Sequence, residues 1–309
     1  MKKLCFLFVG LAFLASCDED DDKNSGPYTT DSLVLKAEKN ALLMQGYNFN
    51  LNVSVGFDIA RHVMEDVYGR NLNHVSFLDQ GAGNFYYDKV DTILNNFQTP
   101  TFPYFYLNGL SSNIGTLQLE IEDAITGRPL ASVANVVSSN DTAWVVDCKV
   151  KFFMDTLSSG IFIETYMLAD IQAANYDPLE DLRFTELPGF VANDDFSSKW
   201  AASIPNIDTT KSIFNQGETV VHRYIAQANF NTSSAWGTSM GEYSPFGGEF
   251  ANGDVYGTRH TPIRHHFLKP KAGEFDYNRK VRFLTVVWIL NPFSNSMEYV
   301  NSYMNNSTY

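Results

Sequence analysis

A serine nucleophile is the first chemistry that the residue pattern suggests. Gly237-Thr238-Ser239-Met240-Gly241 matches the G-x-S-x-G pattern of serine hydrolases, with Asp254 and three histidines further along the chain. That mechanism needs a buried strand, a sharp turn and a helix, which together expose the serine hydroxyl. Here the segment before Gly237 is polar and no helical pattern follows Gly241. We therefore predict that Ser239 is not a catalytic nucleophile and that the chain is not an enzyme.

A metal centre is the second candidate, carried by His260, His265 and His266. Neighbouring residues on a strand point to opposite faces, so His265 and His266 are poorly placed to share one ion. No carboxylate lies beside them at ligand spacing. The acidic run Asp18–Asp22 lacks the glycine of a calcium-binding EF-hand loop. We predict no metal and no cofactor, and we interpret the three histidines as solvated loop residues.

Thiol chemistry is restricted to three cysteines, of which Cys17 is the most informative. Lys2 and Lys3 precede an apolar segment, Leu4–Leu14, of the length of a signal peptide. Leu14-Ala15-Ser16-Cys17 then resembles a bacterial lipobox. We therefore predict that residues 1–16 are a lipoprotein signal peptide and that Cys17 is lipidated. Several acyl chains on Cys17 would anchor the protein stably in a membrane. Cys148 alternates with apolar residues, which predicts a small buried side chain on a strand.

Residues 17–32 are predicted to be the lipidated cysteine and an acidic, flexible tether. The run Asp18–Asp22 resembles the export signal that sends Bacteroidetes lipoproteins to the outer face of the outer membrane. The other interpretation is a solvated spacer that holds the protein off the lipid surface. Both predict a membrane partner through the lipid on Cys17.

Composition excludes several classes of protein. The chain has 309 residues, of which 44% are hydrophobic, with 24 Phe and 16 Tyr, so it has the material for a substantial core. A net charge of -13 and the lack of a basic cluster argue against a nucleic-acid partner. Three cysteines exclude a disulfide scaffold. No long apolar run follows the N-terminal segment, which excludes a multispan membrane protein.

The first folded segment has the pattern β-α-β-α-β-β-α. Apolar spacing predicts a helix over 55–68 that ends at Gly69, and a second helix over 88–97. The pattern over 116–126 fits a strand or a helix; Gly127 and Pro129 favour the helix. Asn108-Gly109 is a strong hairpin signal. Strands are predicted at 41–47, 74–78 and 102–107.

This order resembles a thioredoxin-like domain, which we predict over residues 33–128. In that family a proline before the third strand faces the entry to the first helix. Pro100 is the natural match, although Pro103 is close enough to remain an alternative. The helix entry, residues 48–54, contains no cysteine, so the dithiol chemistry of the family is absent. The resemblance therefore implies a redox-inactive domain in which Pro100 is structural or shapes a peptide-binding ledge.

The second segment, residues 129–309, is predicted to be a β-sandwich domain. Alternating apolar and polar residues recur between turn signals, and Val281–Leu290 is apolar enough for a central strand. The fold class is therefore α+β, with a thioredoxin-like α/β domain followed by an all-β sandwich. Long loops in such a domain commonly bind ligands, and Tyr243 and Phe246 in a Gly-rich loop are a possible binding site. The alternative is that these aromatic side chains fill the core.

The two segments together resemble the outer membrane protein 28 family of Bacteroidetes lipoproteins. Besides the lipobox and the thioredoxin-like half, the resemblance depends on six short motifs in the second half: 169–172, 188–190, 221–224, 235–237, 287–290 and 298–301. The resemblance implies a location at the outer membrane. Because the chain has a lipobox and no convincing catalytic set, we predict an outer-membrane, surface-exposed lipoprotein with a non-enzymatic binding, adhesion or assembly role, toward a protein or a glycan. The alternative is a periplasm-facing, chaperone-like protein that binds peptides around Pro100.

Overall fold

A computed structural model describes twelve parts of the chain: 29–47, 61, 64–78, 89–97, 104–112, 115–156, 160–172, 221–226, 234–244, 248–269, 281–307 and 309. Among these residues the secondary structure is mixed and dominated by strands, which confirms the α+β class in its coarse form. The described helices hold no segment long and apolar enough to cross a bilayer. Cys17, Pro100, Pro103 and Phe246 lie outside the described residues.

Thirteen strands and three helices make up the described structure. The strands are β1 Ala41–Tyr47, β2 Leu72–Leu78, β3 Tyr104–Leu107, β4 Leu110–Ser112, β5 Ala131–Ser139, β6 Ala143–Phe152, β7 Ile161–Gln172, β8 Val221–Ala226, β9 Thr238–Ser239, β10 Val255–Tyr256, β11 Ile263–Leu268, β12 Val281–Asn291 and β13 Ser296–Asn305. Helix α1 is described at residues 61 and 64–68, α2 is Val90–Asn96 and α3 is Leu117–Ala124. Two 3-10 turns are Gly69–Asn71 and Met240–Glu242.

A nine-stranded sheet runs through both halves of the chain. Its order is β13-β12-β7-β8-β2-β1-β3-β4, and β9 pairs with β7. Strand β1 is parallel to β2 and antiparallel to β3, and β2 pairs in parallel with β8 at Ser76 and Ile225. The sheet therefore joins strands from both sides of the predicted boundary at 128/129. The division into two domains stays a prediction.

A four-stranded sheet packs on one part of the large sheet. Strand β6 pairs with β5 on one side and with β10 and β11 on the other. Apolar side chains of β5, β6 and β11 form one buried cluster with side chains of β7, β12 and β13. This second half has the two packed sheets that the alternating pattern predicts, and β12 lies between β13 and β7.

A second buried cluster lies on the large sheet and is shared by the two halves of the chain. Strands β1 and β2 contribute Leu42, Met44, Val75 and Phe77, and helix α2 contributes Val90, Ile93 and Leu94. From beyond residue 128 come Tyr166, Leu168, Leu284, Val286 and Trp288. The first half therefore completes its core with strands β7 and β12 of the second half.

The turn signals of the sequence act as predicted. Asn108 and Gly109 join β3 to β4 with φ angles of 53° and 86°, the left-handed values that a tight hairpin requires. Segment 116–126 contains helix α3, Leu117–Ala124, as Gly127 indicated, and Gly127 itself has φ 85°. Strand β7 continues as far as Gln172, because β8 pairs with it up to that residue.

Candidate functional site

A cleft of about 850 Å³ lies where the large sheet, the small sheet and helix α1 meet. Its size is typical of small-molecule sites, which enclose about 300–1,000 Å³. Most of its lining is polar, and six of the lining residues are asparagines. The asparagines are Asn40, Asn71, Asn73, Asn301, Asn305 and Asn306.

One wall of the cleft is the strap, which we define as residues 29–40. Its start is fixed to the small sheet: Thr29 donates to the Asp147 carboxylate at 2.6 Å, and Thr30 donates to the Gly257 carbonyl. Lys149 of β6 donates to the carbonyl oxygens of Thr30 and Leu33 at 3.1 and 2.9 Å. The strap then passes β5 and β13 and leads into β1.

The Asn301 side chain joins the strap to both sheets. It accepts from the backbone N–H of Asn40 at 3.0 Å and donates to the carbonyl oxygens of Glu38 and Ala131 at 3.0 and 3.1 Å. Asn73 of β2 donates to the Ser302 hydroxyl at 2.8 Å. These amides are therefore structural, and they fix the floor of the cleft.

The His74 cluster lies at the inner end of the cleft and consists of Arg61, Glu65, His74, Tyr224 and Arg282. Arg61 donates to Glu65 at 2.9 Å, one turn apart on α1, and the Tyr224 hydroxyl donates to Glu65. The His74 and Tyr224 rings are stacked, with centroids 5.4 Å apart and planes at 20°. The guanidinium groups of Arg61 and Arg282 lie 5.6 and 5.0 Å from the Tyr224 centroid.

Tyr224 has a backbone conformation that L-residues rarely adopt, with φ 61°. Such a conformation costs about 1–3 kcal/mol and persists only where the surroundings impose it. Here a stacked imidazole, two guanidinium groups and the Glu65 carboxylate surround the ring. Burial, and then the negative charge of Glu65, raise the pKa of Tyr224, so the side chain stays a neutral phenol.

His74 is buried and lines the cleft, and among the described residues neither of its ring nitrogens has a hydrogen-bond partner. Burial, and then the positive charge of Arg61, lower the pKa of His74 to about 3. The imidazole is therefore neutral at physiological pH, with one nitrogen as donor and the other as acceptor.

Two further buried polar side chains lie on the same face of the sheet as His74. Ser76 is two residues further along β2, and Gln45 is its register partner on β1. Within the part of the chain that the structure describes, neither the Ser76 hydroxyl nor the Gln45 amide has a hydrogen-bond partner. Because the great majority of buried polar atoms in proteins are paired, three adjacent side chains without a described partner mark this face as unusual.

Tyr243, Ser239 and Asp254, which the sequence offers as binding or catalytic candidates, do not line this cleft. Tyr243 is half-buried against the core cluster of the small sheet, and burial raises the pKa of Tyr243. Ser239 accepts a hydrogen bond from the Gly241 N–H at 3.3 Å and begins the 3-10 turn Met240–Glu242, where the hydrolase mechanism needs an α-helix. Asp254 accepts from the Ala251 N–H at 2.8 Å.

The interpretation of all three histidines as solvated loop residues is wrong for His265. His260 is exposed in a bend, but His265 and His266 lie on β11, with His265 buried and His266 exposed. The alternation of β11 points His265 into the core, where Nδ1 lies 2.7 Å from the Thr165 hydroxyl. Burial, and then the neighbouring His266, lower the pKa of His265 to about 4.

Cys148 is fully buried on β6, as its alternating neighbours predicted. Its thiol lies 3.5 and 3.6 Å from the hydroxyls of Thr165 and Thr285. Burial raises the pKa of Cys148 to about 11, so the group is a thiol and a poor nucleophile at neutral pH.

Sequence reasoning missed the His74 cluster, although the strands carried a signal. Parallel strands covered on both faces usually consist of nearly continuous apolar residues. Gln45 on β1, and Asn73, His74 and Ser76 on β2, interrupt that pattern. No polar residue in an apolar run pointed to Tyr224. Its place in the cluster depends on contacts with side chains of α1 and β2, which are far away along the chain.

Comparisons with known proteins concern the fold. No protein-family model matches the sequence, and no curated protein matches it. The structure is similar to HBP35 of Porphyromonas gingivalis, a Bacteroidetes protein, with a TM-score of 0.56 and 12% identity over 88% of this chain and 76% of that one. Protein AGR_C_4864 of Agrobacterium tumefaciens matches with a TM-score of 0.44 and 7% identity, over 89% of this chain and 99% of that one.

Proposed function

We propose that this chain is a non-enzymatic, lipid-anchored binding protein of the outer membrane, exposed at the cell surface, and that it binds its ligand in the cleft. The observation that carries the binding role is the polar cleft itself, whose lining includes the buried His74, an imidazole with no hydrogen-bond partner among the residues that the structure describes. Ligand sites are commonly concave surfaces with a few converging polar groups.

The absence of catalysis is part of the same proposal. The described candidates for nucleophiles are engaged or shielded: the Ser239 hydroxyl caps a 3-10 turn and Cys148 is a buried thiol. The phenol of Tyr224 donates to Glu65, and its raised pKa makes it a poor acid and leaves almost none of the phenolate that nucleophilic attack would need. Cys148 and Tyr224 therefore lack the lowered pKa that activates a nucleophile.

The anchor in this proposal is Cys17, followed by the acidic tether. The lipobox Leu14–Cys17 supports lipidation, and the acidic residues 18–22 support export to the outer face. The predicted tether of residues 17–32 is too long at its C-terminal end, because Thr29 and Thr30 are hydrogen-bonded to Asp147 and Gly257 of the folded body. The acidic run would keep the folded body away from anionic lipid headgroups.

Membership of the outer membrane protein 28 family, with a thioredoxin-like first half, also belongs to this proposal. The fold likeness to HBP35 supports a related family in a coarse sense. The parallel pair β1–β2, the antiparallel β3 and the packed helix α2 agree with a thioredoxin-like order. Since residues 48–54 contain no cysteine, such a domain would be redox-inactive.

Cell fractionation and protease shaving test this proposal. The protein is expected in the outer-membrane fraction, and Cys17→Ala is expected to release it; Cys148→Ala is the matched control that keeps the anchor. Cleavage by added protease on intact cells is expected. A Cys17→Ala variant that stays fully membrane-bound would exclude the anchor. Cleavage only after lysis would instead favour the periplasmic, chaperone-like alternative.

A further inference from the structure

The charges around the cleft cancel. Lys36 and Glu38 form an ion pair at 3.6 Å on the strap, and Glu65 is paired with Arg61. The remaining charged residues of the lining, Asp66 and Arg70, have opposite signs. The whole chain carries a charge of -13, so it does not attract anions. A strongly charged ligand therefore has no electrostatic reason to prefer this cleft.

Three polar side chains of the cleft lining share one property. Neutral His74 has one donor and one acceptor, and the Asn71 and Asn306 amides each combine both functions. Alcohol groups also donate and accept, so they match such side chains one for one. Carboxylates only accept and ammonium groups only donate, so neither would pair with all the donors and acceptors of these three side chains.

The outer part of the cleft adds exposed amides and an aromatic ring. Asn71 and Asn306 are exposed at its rim, and half-buried Tyr303 lines it from β13. Tyr224 lines the inner end in a conformation that its neighbours impose. Amides bind hydroxyl groups through both atoms, and aromatic rings cover the apolar faces of ligands.

We propose that the cleft binds a neutral carbohydrate, with His74 hydrogen-bonding to sugar hydroxyl groups at the inner end and Asn71 and Asn306 doing so at the rim. This inference deepens the proposed binding function and rests on it. A free oligosaccharide and the end of a cell-surface polysaccharide present the same hydroxyl groups. These two sources are distinguished by how the affinity depends on the length of the sugar chain.

A peptide ligand fits these observations less well. Extended peptides bind to a free sheet edge or place apolar side chains in pockets. Here β2 lies inside the large sheet with partners on both sides. The edge strands that line the cleft, β5 and β13, are joined by the Asn301 and Asn305 side chains, which donate to the carbonyl oxygens of Ala131 and Asn135. Both ring nitrogens of His74 lack a partner among the described residues, and a peptide side chain would have to satisfy them one by one.

Titration with defined sugars tests the inference. Calorimetry and saturation-transfer NMR would use the purified protein with neutral disaccharides and hexasaccharides of glucose, mannose, xylose, galactose and N-acetylglucosamine, and with hexagalacturonate as the acidic probe. We expect at least one neutral sugar to bind and hexagalacturonate not to bind. Equal affinity for disaccharide and hexasaccharide would indicate a free sugar, and tighter binding of the hexasaccharide would indicate a polysaccharide.

Three variants connect that binding to the cleft. His74→Ala is expected to weaken binding about tenfold through lost hydrogen bonds. His266→Ala changes an exposed histidine on β11, outside the cleft lining, and is expected to leave affinity unchanged. The double variant Asn71→Ala/Asn306→Ala alters only exposed side chains. It therefore tests whether the sugar binds in the cleft even if His74→Ala fails to fold. We expect it to weaken binding about threefold to tenfold.

Two results would overturn the carbohydrate inference: no neutral sugar binds at millimolar concentration, or binding is unaffected by the cleft variants. Either result leaves the anchored binding protein standing if the Cys17 experiment succeeds. Conversely, a failed Cys17 experiment removes the proposed location, while sugar binding by the purified chain would still stand.

Discussion

Two buried histidines make the stability of this protein sensitive to acid. The pKa of His74 is lowered to about 3 and that of His265 to about 4, against 6.5 for an unfolded chain. Between those values the unfolded state binds more protons than the folded state, so stability is complete above pH 6.5 and falls as the pH drops. His265 alone accounts for a loss of about 3 kcal/mol on going to pH 4.

A glutamine at position 265 tests this titration. His265→Gln can still hydrogen-bond to Thr165 but cannot be protonated, so its urea-unfolding free energy is expected to depend less on pH between 6.5 and 4. His260→Gln replaces an exposed histidine and is expected to keep the wild-type slope. An unchanged slope in His265→Gln would show that His265 is not neutral in the fold.

Asn301 is expected to be the most sensitive of the cleft asparagines. Its side chain satisfies backbone groups of the strap, β5 and β13 at once, so Asn301→Ala leaves several buried groups unpaired. We expect a loss of about 2–4 kcal/mol in thermal or urea unfolding. Asn306→Ala, at an exposed position on the same cleft, is expected to change stability by less than about 0.5 kcal/mol.

At the scale of elements, a glycine fixes the approach of the 257 turn to strand β6. Gly257 has φ 81°, and a Cβ there would lie 1.8 Å from the Cys148 carbonyl oxygen. Gly253 also has a left-handed φ, 102°, but its Cβ would meet no atom within 4 Å. Gly253→Ala is therefore expected to cost only about 1–2 kcal/mol from the backbone.

Gly257→Ala is expected to cost more, because backbone atoms of β6 must move. The prediction is a larger fall in melting temperature than Gly253→Ala causes, or a failure to fold. Equal melting temperatures for the two variants would mean that the turn withdraws from Cys148 without penalty.

The elements were largely predictable from the sequence because their signals are local. Asn108-Gly109 fixes a hairpin within two residues, and Gly127 decided between helix and strand for α3. Alternation placed Cys148 inside, and the same rule applied to His265 would have placed it inside too. The polar His74 and Ser76 were visible in β2, but their significance depends on pairing with β8, which no local signal indicates.

At the scale of the whole molecule, the two halves share one sheet and one core. Strand β8 borders β2, and Trp288, Leu284 and Tyr166 complete the cluster around β1 and β2. A fragment of residues 33–128 would expose both the β2 edge and this apolar surface. We expect the isolated fragment to aggregate or to lack a cooperative thermal transition. A cooperative melt like that of the full chain would instead support the division at 128/129.

The cleft could not be predicted from sequence for the same reason. Its lining comes from the strap, α1, β2, β5, β8 and β13, which are distant along the chain and meet only because the large sheet is continuous. The lipobox and the lack of a convincing catalytic set predicted a binding role, and local patterns predicted the strands. Long-range strand pairing determines where these strands meet, and local patterns do not indicate that pairing.

The strap also determines how force would travel through the molecule. A pull on the tether enters the folded body at Thr29 and Thr30, where side chains hold the chain to β6 and Gly257. The next ties along the same path, through Ser132 and Asn301, are those that shape the cleft wall. In the proposed anchored protein, tension would therefore act first on the small sheet and only then on the hydrogen bonds that shape the cleft.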